Sequence, residues 1–108
     1  MTTEPLDLEL LQSSAARACG LLKVMANPDR LLLLCQLTRG EHCVSELAER
    51  LGIAQPTLSQ QLGVLRDEQL VSTRREGKQI FYSIQSKEAM ALIEVLYAQF
   101  CAGDAARK

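Results

Sequence analysis

Apolar residues recur at alternating spacings of three and four through the first quarter of the chain. Leu8, Leu11, Ala15, Ala18, Leu22 and Met25 make one stripe, which predicts a helix over 6–25. Its middle is small (Ala15, Ala16, Ala18), so a second helix can approach closely. Asn27-Pro28 ends it, because the residue before a proline disfavours the α region. Pro28 then suits the first turn of a second helix capped by Asn27. That helix is expected to run to about Thr38. Leu31 to Leu34, Cys35 and Leu37 make it apolar nearly all round, the pattern of a buried central helix. A short third helix is predicted over 44–51 on Val44, Leu47, Ala48 and Leu51. Gly52 stops it, and a fourth helix follows over about 55–68. There Leu58, Leu62 and Leu65 point inward, and Gln55, Thr57, Ser59, Gln60 and Gln61 are read on the other face.

The period then changes to two. Val71 and Thr73 alternate with Ser72 and Arg74, and Ile80, Tyr82 and Ile84 with Phe81 and Ser83. Between them lies Arg75-Glu76-Gly77-Lys78, so a β-hairpin is expected over about 71–84. A last helix is predicted over 87–101, with Ala89, Ile93, Leu96 and Phe100 on one side. The tail from Ala102 to Lys108 is expected to fray.

The chain of 108 residues is long enough for one modest core and is read as a single domain, 1–108. Its 47% apolar and 23% charged residues are those of a globular chain. No apolar run approaches the roughly 18 residues of a membrane span. The opening Met-Thr-Thr-Glu-Pro-Leu-Asp is acidic and polar, unlike a secretory signal. Cytoplasm is therefore the expected compartment, with Cys19, Cys35, Cys43 and Cys101 reduced by default. No Cys-x-x-Cys pair suggests a zinc ribbon. With a single histidine, His42, read as a surface turn residue, no acid–base pair or oriented nucleophile is visible, and no enzyme is expected. No cofactor is expected either.

The net charge of −1 gives no overall basic field. Arg74, Arg75 and Lys78 nevertheless fall within five positions at the hairpin tip. The order helix, three-residue turn with glycine, helix, basic hairpin is that of a helix-turn-helix with a phosphate-contacting ribbon. Gln can bond adenine bidentately, and Ser and Thr can contact bases or phosphates. Gln55, Thr57, Ser59, Gln60 and Gln61 are thus candidate base readers, and Arg74, Arg75 and Lys78 candidate phosphate contacts. A winged-helix interaction module that does not bind DNA is the other class this pattern allows.

The run Leu47-Ala48-x-x-Leu51-Gly52-Ile53-Ala54-Gln55-Pro56-Thr57-Leu58-Ser59-Gln60-Gln61-Leu62-x-x-Leu65-Arg66-x-x-x-Leu70-Val71 resembles the core of the ArsR/SmtB family of bacterial repressors. Asn27-Pro28-x-Arg30-Leu31 is similar to the family's second-helix opening, and Arg74-Arg75-x-Gly77-Lys78-x-Ile80-x-Tyr82 to its wing. The resemblance covers about residues 15–101. It implies a mostly α winged helix-turn-helix with a β-hairpin wing, acting as a homodimer on double-stranded operator DNA. The dimer would form through helices 6–25 and 87–101. Both carry apolar stripes outside the central unit, and a monomer would expose a patch that soluble monomers seldom tolerate.

The family's metal sensors often open the third helix with two cysteines two positions apart. Here the segment reads Glu41-His42-Cys43-Val44-Ser45-Glu46-Leu47, with Ser45 in the second place. Soft ions prefer two or three thiolates. A zinc site on the last helix would need Asp or His, and 86–101 has neither. Arsenite or zinc sensing through Cys43 is the alternative reading. The placement of Cys35 and Cys101 is similar to the BigR/SqrR/YgaV-like branch, which implies a cysteine pair that answers reactive sulfur species or an oxidant. Cys19 is read as a small packing residue.

Overall fold

The computed structural model describes residues 7–102. Helix α1 spans Leu8–Met25 and begins at Asp7, whose carboxylate accepts the N–H groups of Glu9 and Leu10 at 3.0 and 3.3 Å. The predicted first residue, at position 6, lies outside the described residues, as does the tail beyond Ala102. Helix α2 spans Pro28–Leu37, with Asn27 Oδ1 accepting the Arg30 N–H at 3.1 Å. Helices α3 (Val44–Leu51) and α4 (Gln55–Asp67) flank the turn Gly52-Ile53-Ala54, as predicted. Gly52 sits at φ 66°, a left-handed helix end that glycine adopts without a Cβ clash.

Strands β2 (Val71–Glu76) and β3 (Gln79–Ile84) form the predicted hairpin, closed by the pair Glu76 and Gln79. Gly77 takes φ 63° in the first of the two loop positions, where such hairpins favour glycine. Helix α5 spans Lys87–Leu96, capped by Ser86 Oγ on the Ala89 N–H at 3.1 Å.

Helix α2 is central, touching α1, α3, α4, α5 and β3. Leu33, Leu34 and Leu37 on it meet Leu47, Leu58, Leu62, Leu65, Ala89 and Ile93 in one core. Its apolar character all round is only partly absorbed, since Leu32 stays exposed and Leu31 and Cys35 are half-buried.

Three features depart from the expectation. His42 is not a surface turn residue: it is buried, 9% exposed, because His42–Cys43 forms a short strand, β1. β1 adds to the hairpin by pairing His42 with Tyr82 and Cys43 with Phe81, in the order β1-β3-β2. Two residues are too few for a period of two to register. The last helix does not stay α to residue 101. It widens into a π-helical turn over Tyr97–Ala102. Side chains 97–101 are all exposed, so little packing among the described residues enforces α spacing there. Finally, the predicted stripe of the last helix is divided: Ala89 and Ile93 lie in the chain's own core and Leu96 packs against it, while Phe100 faces outward.

Most of the outward apolar residues lie on α1, on α5 and in the turn beyond it, with Leu32 and Ile80 as exceptions. Leu8 and Leu10 on α1 are 64% exposed, as is Phe100 beyond α5, and Leu11, Leu22 and Val95 are exposed with them. Among the described residues, no helix is long and apolar enough to cross a membrane.

Candidate nucleic-acid interface and cysteine pair

Burying Leu58, Leu62 and Leu65 turns the opposite side of α4 to solvent, and Gln55, Thr57, Ser59 and Gln60 are all exposed there or at the helix start. Gln61 is set apart from these four. It lies three residues after Leu58, on the flank of the buried stripe, and is half-buried. Its Oε1 accepts a hydrogen bond from Arg30 Nη1 at 2.9 Å. A period of 3.6 applied to Leu58 would have singled it out.

The three wing cations also divide. Arg74 Nη2 and Nε donate to the Glu41 carboxylate at 2.7 and 3.0 Å, and Nη1 to Glu76 at 2.6 Å. Its guanidinium lies 4.9 Å from the centroid of the Phe81 ring, the residue paired with it across the hairpin. These bonds hold the Glu41 carboxyl below the usual carboxylate range and raise the Arg74 pKa further. The charge of Arg74 is therefore largely compensated, and the side chain braces β2 to the segment entering β1. Arg75 and Lys78 are exposed and have no ion-pair partner among the described residues. Glu41 was not anticipated; only a contact 33 positions distant reveals it.

Beneath the wing, His42 Nε2 lies 3.2 Å from Gln36 Nε2, and its buried Nδ1 lies 3.8 Å from Glu46 Oε1. The Cys43 N–H donates to the same Glu46 oxygen at 3.0 Å, the first of the bonds that lower the Glu46 pKa. Cys43 is buried at the start of α3, with Sγ 3.2 Å from Ser45 Oγ. No group of three or more His, Cys, Asp or Glu side chains converges on a metal position among the described residues.

Cys35 and Cys101 are both free thiols, half-buried and exposed respectively. Burial pushes the Cys35 thiol up, and the negative charge of a Cys101 thiolate pushes it further. One contact joins the two segments that carry these cysteines: the Arg39 guanidinium lies 5.1 Å from the centroid of the Tyr97 ring. Arg39 is four residues after Cys35, and Tyr97 four before Cys101. The residues just past α2 thus touch the start of the π-helical turn. Cys19 is exposed on α1 rather than packed away, contrary to expectation, because nothing among the described residues covers that stretch of helix.

The profile described as "Bacterial regulatory protein, arsR family" matches residues 27–73, from the α2 cap into β2. The biofilm growth-associated repressor of Agrobacterium fabrum is 52% identical over 104 residues, covering 92% of this chain and 89% of that protein. The chain belongs to the arsR family of bacterial regulatory proteins. The crystal structure of the transcriptional repressor BigR from Xylella fastidiosa, 47% identical, superposes with a TM-score of 0.81 over 90% of this chain and 96% of that one. The reduced form of HlyU from Vibrio cholerae, 43% identical, gives 0.82 over 86% and 98%. An arsR-family chain with this architecture is a winged-helix transcriptional regulator and not an enzyme.

Proposed function

We propose that the protein is a homodimeric repressor that binds operator DNA and releases it when Cys35 and Cys101 are joined. The DNA part rests on four exposed base-capable side chains on α4 beside two unpaired cations on the wing. The dimer part rests on the outward apolar residues of α1 and of the chain's last turns, which need a partner. In such a dimer two α4 helices would enter major grooves about 34–36 Å apart on a near-palindromic site.

The observation that carries the sensing part is that two free thiols sit on segments which the Arg39–Tyr97 contact brings together. Cys101 is exposed and meets a sulfane-sulfur donor, R–S–SH, first. Its thiolate attacks the outer sulfur, forming Cys101–S–SH and expelling R–S⁻. The Cys35 thiolate then attacks the Cys101 sulfur, closing a disulfide and expelling HS⁻. Two thiols lose two electrons, and the sulfane sulfur gains them. A longer polysulfide bridge would join the same residues. Either bridge would tie α2 to the π-helical turn and shift the outer dimer helices relative to α4.

The test is DNA affinity of the reduced protein, and then after cysteine persulfide, peroxide, Zn²⁺ or As(III), with adducts located by mass. Release by persulfide with a Cys35–Cys101 link supports the reading. Release by Zn²⁺ or As(III) that requires Cys43 would replace it with a metal-responsive repressor. A reduced protein with no salt-dependent DNA binding would point to an interaction module instead.

A further inference from the structure

Arg30 sits in the first turn of α2, three and four residues before Leu33 and Leu34, so it shares their inward face. Two other helices meet at its guanidinium. Nε donates to the Val24 carbonyl at 2.6 Å, in the last turn of α1, where carbonyls lack helical partners and a cation is favoured. Nη1 donates to Gln61 Oε1 at 2.9 Å, in the middle of α4. A guanidinium has only donors, so the acceptor must be the amide oxygen, which fixes the orientation of the Gln61 amide. Hydrogen bonds from a charged donor are roughly twice as strong as neutral ones. Gln61 is next to Gln60, one helical step round from the exposed face.

We propose that Arg30 and Gln61 form a strut that sets the rotation of α4 against α1, so Gln61 is a positioning residue and not a base reader. The inference rests on the DNA-binding reading and deepens it. Bases would be read by Gln55, Thr57, Ser59 and Gln60, while the strut fixes how deeply that face can enter a groove. It also links α1, whose outer face lacks a partner, to the reading helix through one side chain.

The test uses two duplexes: one selected by the wild-type protein from a random pool, and a scrambled duplex of equal length. The readout is the ratio of the two affinities in Gln61→Met, Arg30→Lys, the double variant and Gln61→Glu, with thermal unfolding to confirm folding. Gln61→Met and Arg30→Lys should each lower the ratio about tenfold, the scale of one charge-assisted hydrogen bond. The double variant should match the worse single one, because both remove the same link. Gln61→Glu adds a negative charge that weakens both duplexes alike, but its carboxylate still accepts from Arg30, so its ratio should stay near wild type. Independent losses, or a Gln61→Glu ratio as low as that of Gln61→Met, would overturn the strut and return Gln61 to the reading face. If Arg30→Lys does not fold, the Met and Glu variants of Gln61 decide the question. A wild-type protein that prefers no duplex would overturn both the DNA reading and the strut.

Discussion

Gln60 and Lys78 represent two kinds of contact that different measurements separate. Gln60 is exposed on the side of α4 away from its leucines, so Gln60→Ala should cost about 1–3 kcal/mol on the selected site and much less on scrambled DNA. Lys78 is an unpaired cation at the wing tip. Lys78→Ala should weaken binding to both duplexes and reduce the slope of affinity against salt by about one. Arg74→Ala should leave that slope near wild type, because Glu41 and Glu76 already compensate its charge. A slope change as large as for Lys78 would contradict this. Residue types in the sequence were enough to propose the reading face and the basic tip. They could not sort Arg74 from Arg75, a distinction that depends on Glu41, 33 positions away. Gln61 could have been sorted from Gln60 by helical period, though its partner Arg30, 31 positions away, could not have been named. The cysteine pair makes a pH-dependent prediction. Burial and the Cys101 charge both raise the Cys35 pKa, so its thiolate is scarce at neutral pH and grows as pH rises. Bridge closure, followed by quenched-flow alkylation and mass, should accelerate with pH through and beyond the ordinary thiol range. A rate already level at neutral pH would show that Cys35 is not the slow partner.

At the scale of elements, glycine and proline made the helix-turn-helix legible. Pro28, Gly52 and Pro56 mark helix ends by backbone sterics alone, which needs no tertiary contact. β1 was hidden because two residues carry no period, and its strand character comes only from pairing with β3. The π-helical turn was hidden because its residues repeat at helical spacing like any α-helix end. One helix end lacks the glycine its geometry favours. Gln69, after α4, takes φ 63°, while the Leu70 N–H reaches back to the Leu65 carbonyl at 2.9 Å. A side chain in that conformation costs about 1–2 kcal/mol. Gln69→Gly should therefore raise unfolding stability by up to about 1 kcal/mol in urea, after the entropy glycine adds to the unfolded chain. A loss of stability would mean that the Gln69 side chain makes a contact worth more than the strain.

At the scale of the molecule, the two ends of the chain leave apolar side chains in water. Sequence stripes on the first and last helices pointed to a partner surface, but they assigned Ile93 to it, and Ile93 belongs to the chain's own core. Leu11 and Phe100 are exposed and are the sharper probes. Leu11→Asp and Phe100→Asp should give a monomer in analytical ultracentrifugation with helical content retained, because neither residue is needed inside one subunit. A wild-type chain that sediments as a monomer at micromolar concentration would contradict the dimer. In the proposed switch this surface and the α4 face act together, with sulfur chemistry between Cys35 and Cys101 controlling hold on DNA. The most direct measurement is fluorescence anisotropy of the selected duplex, bound by wild-type or Cys35→Ser protein and titrated with inorganic polysulfide. The two reduced proteins should bind equally, the wild type should be released as the Cys35–Cys101 bridge forms, and Cys35→Ser should be retained. Full release of the Cys35→Ser protein would contradict it.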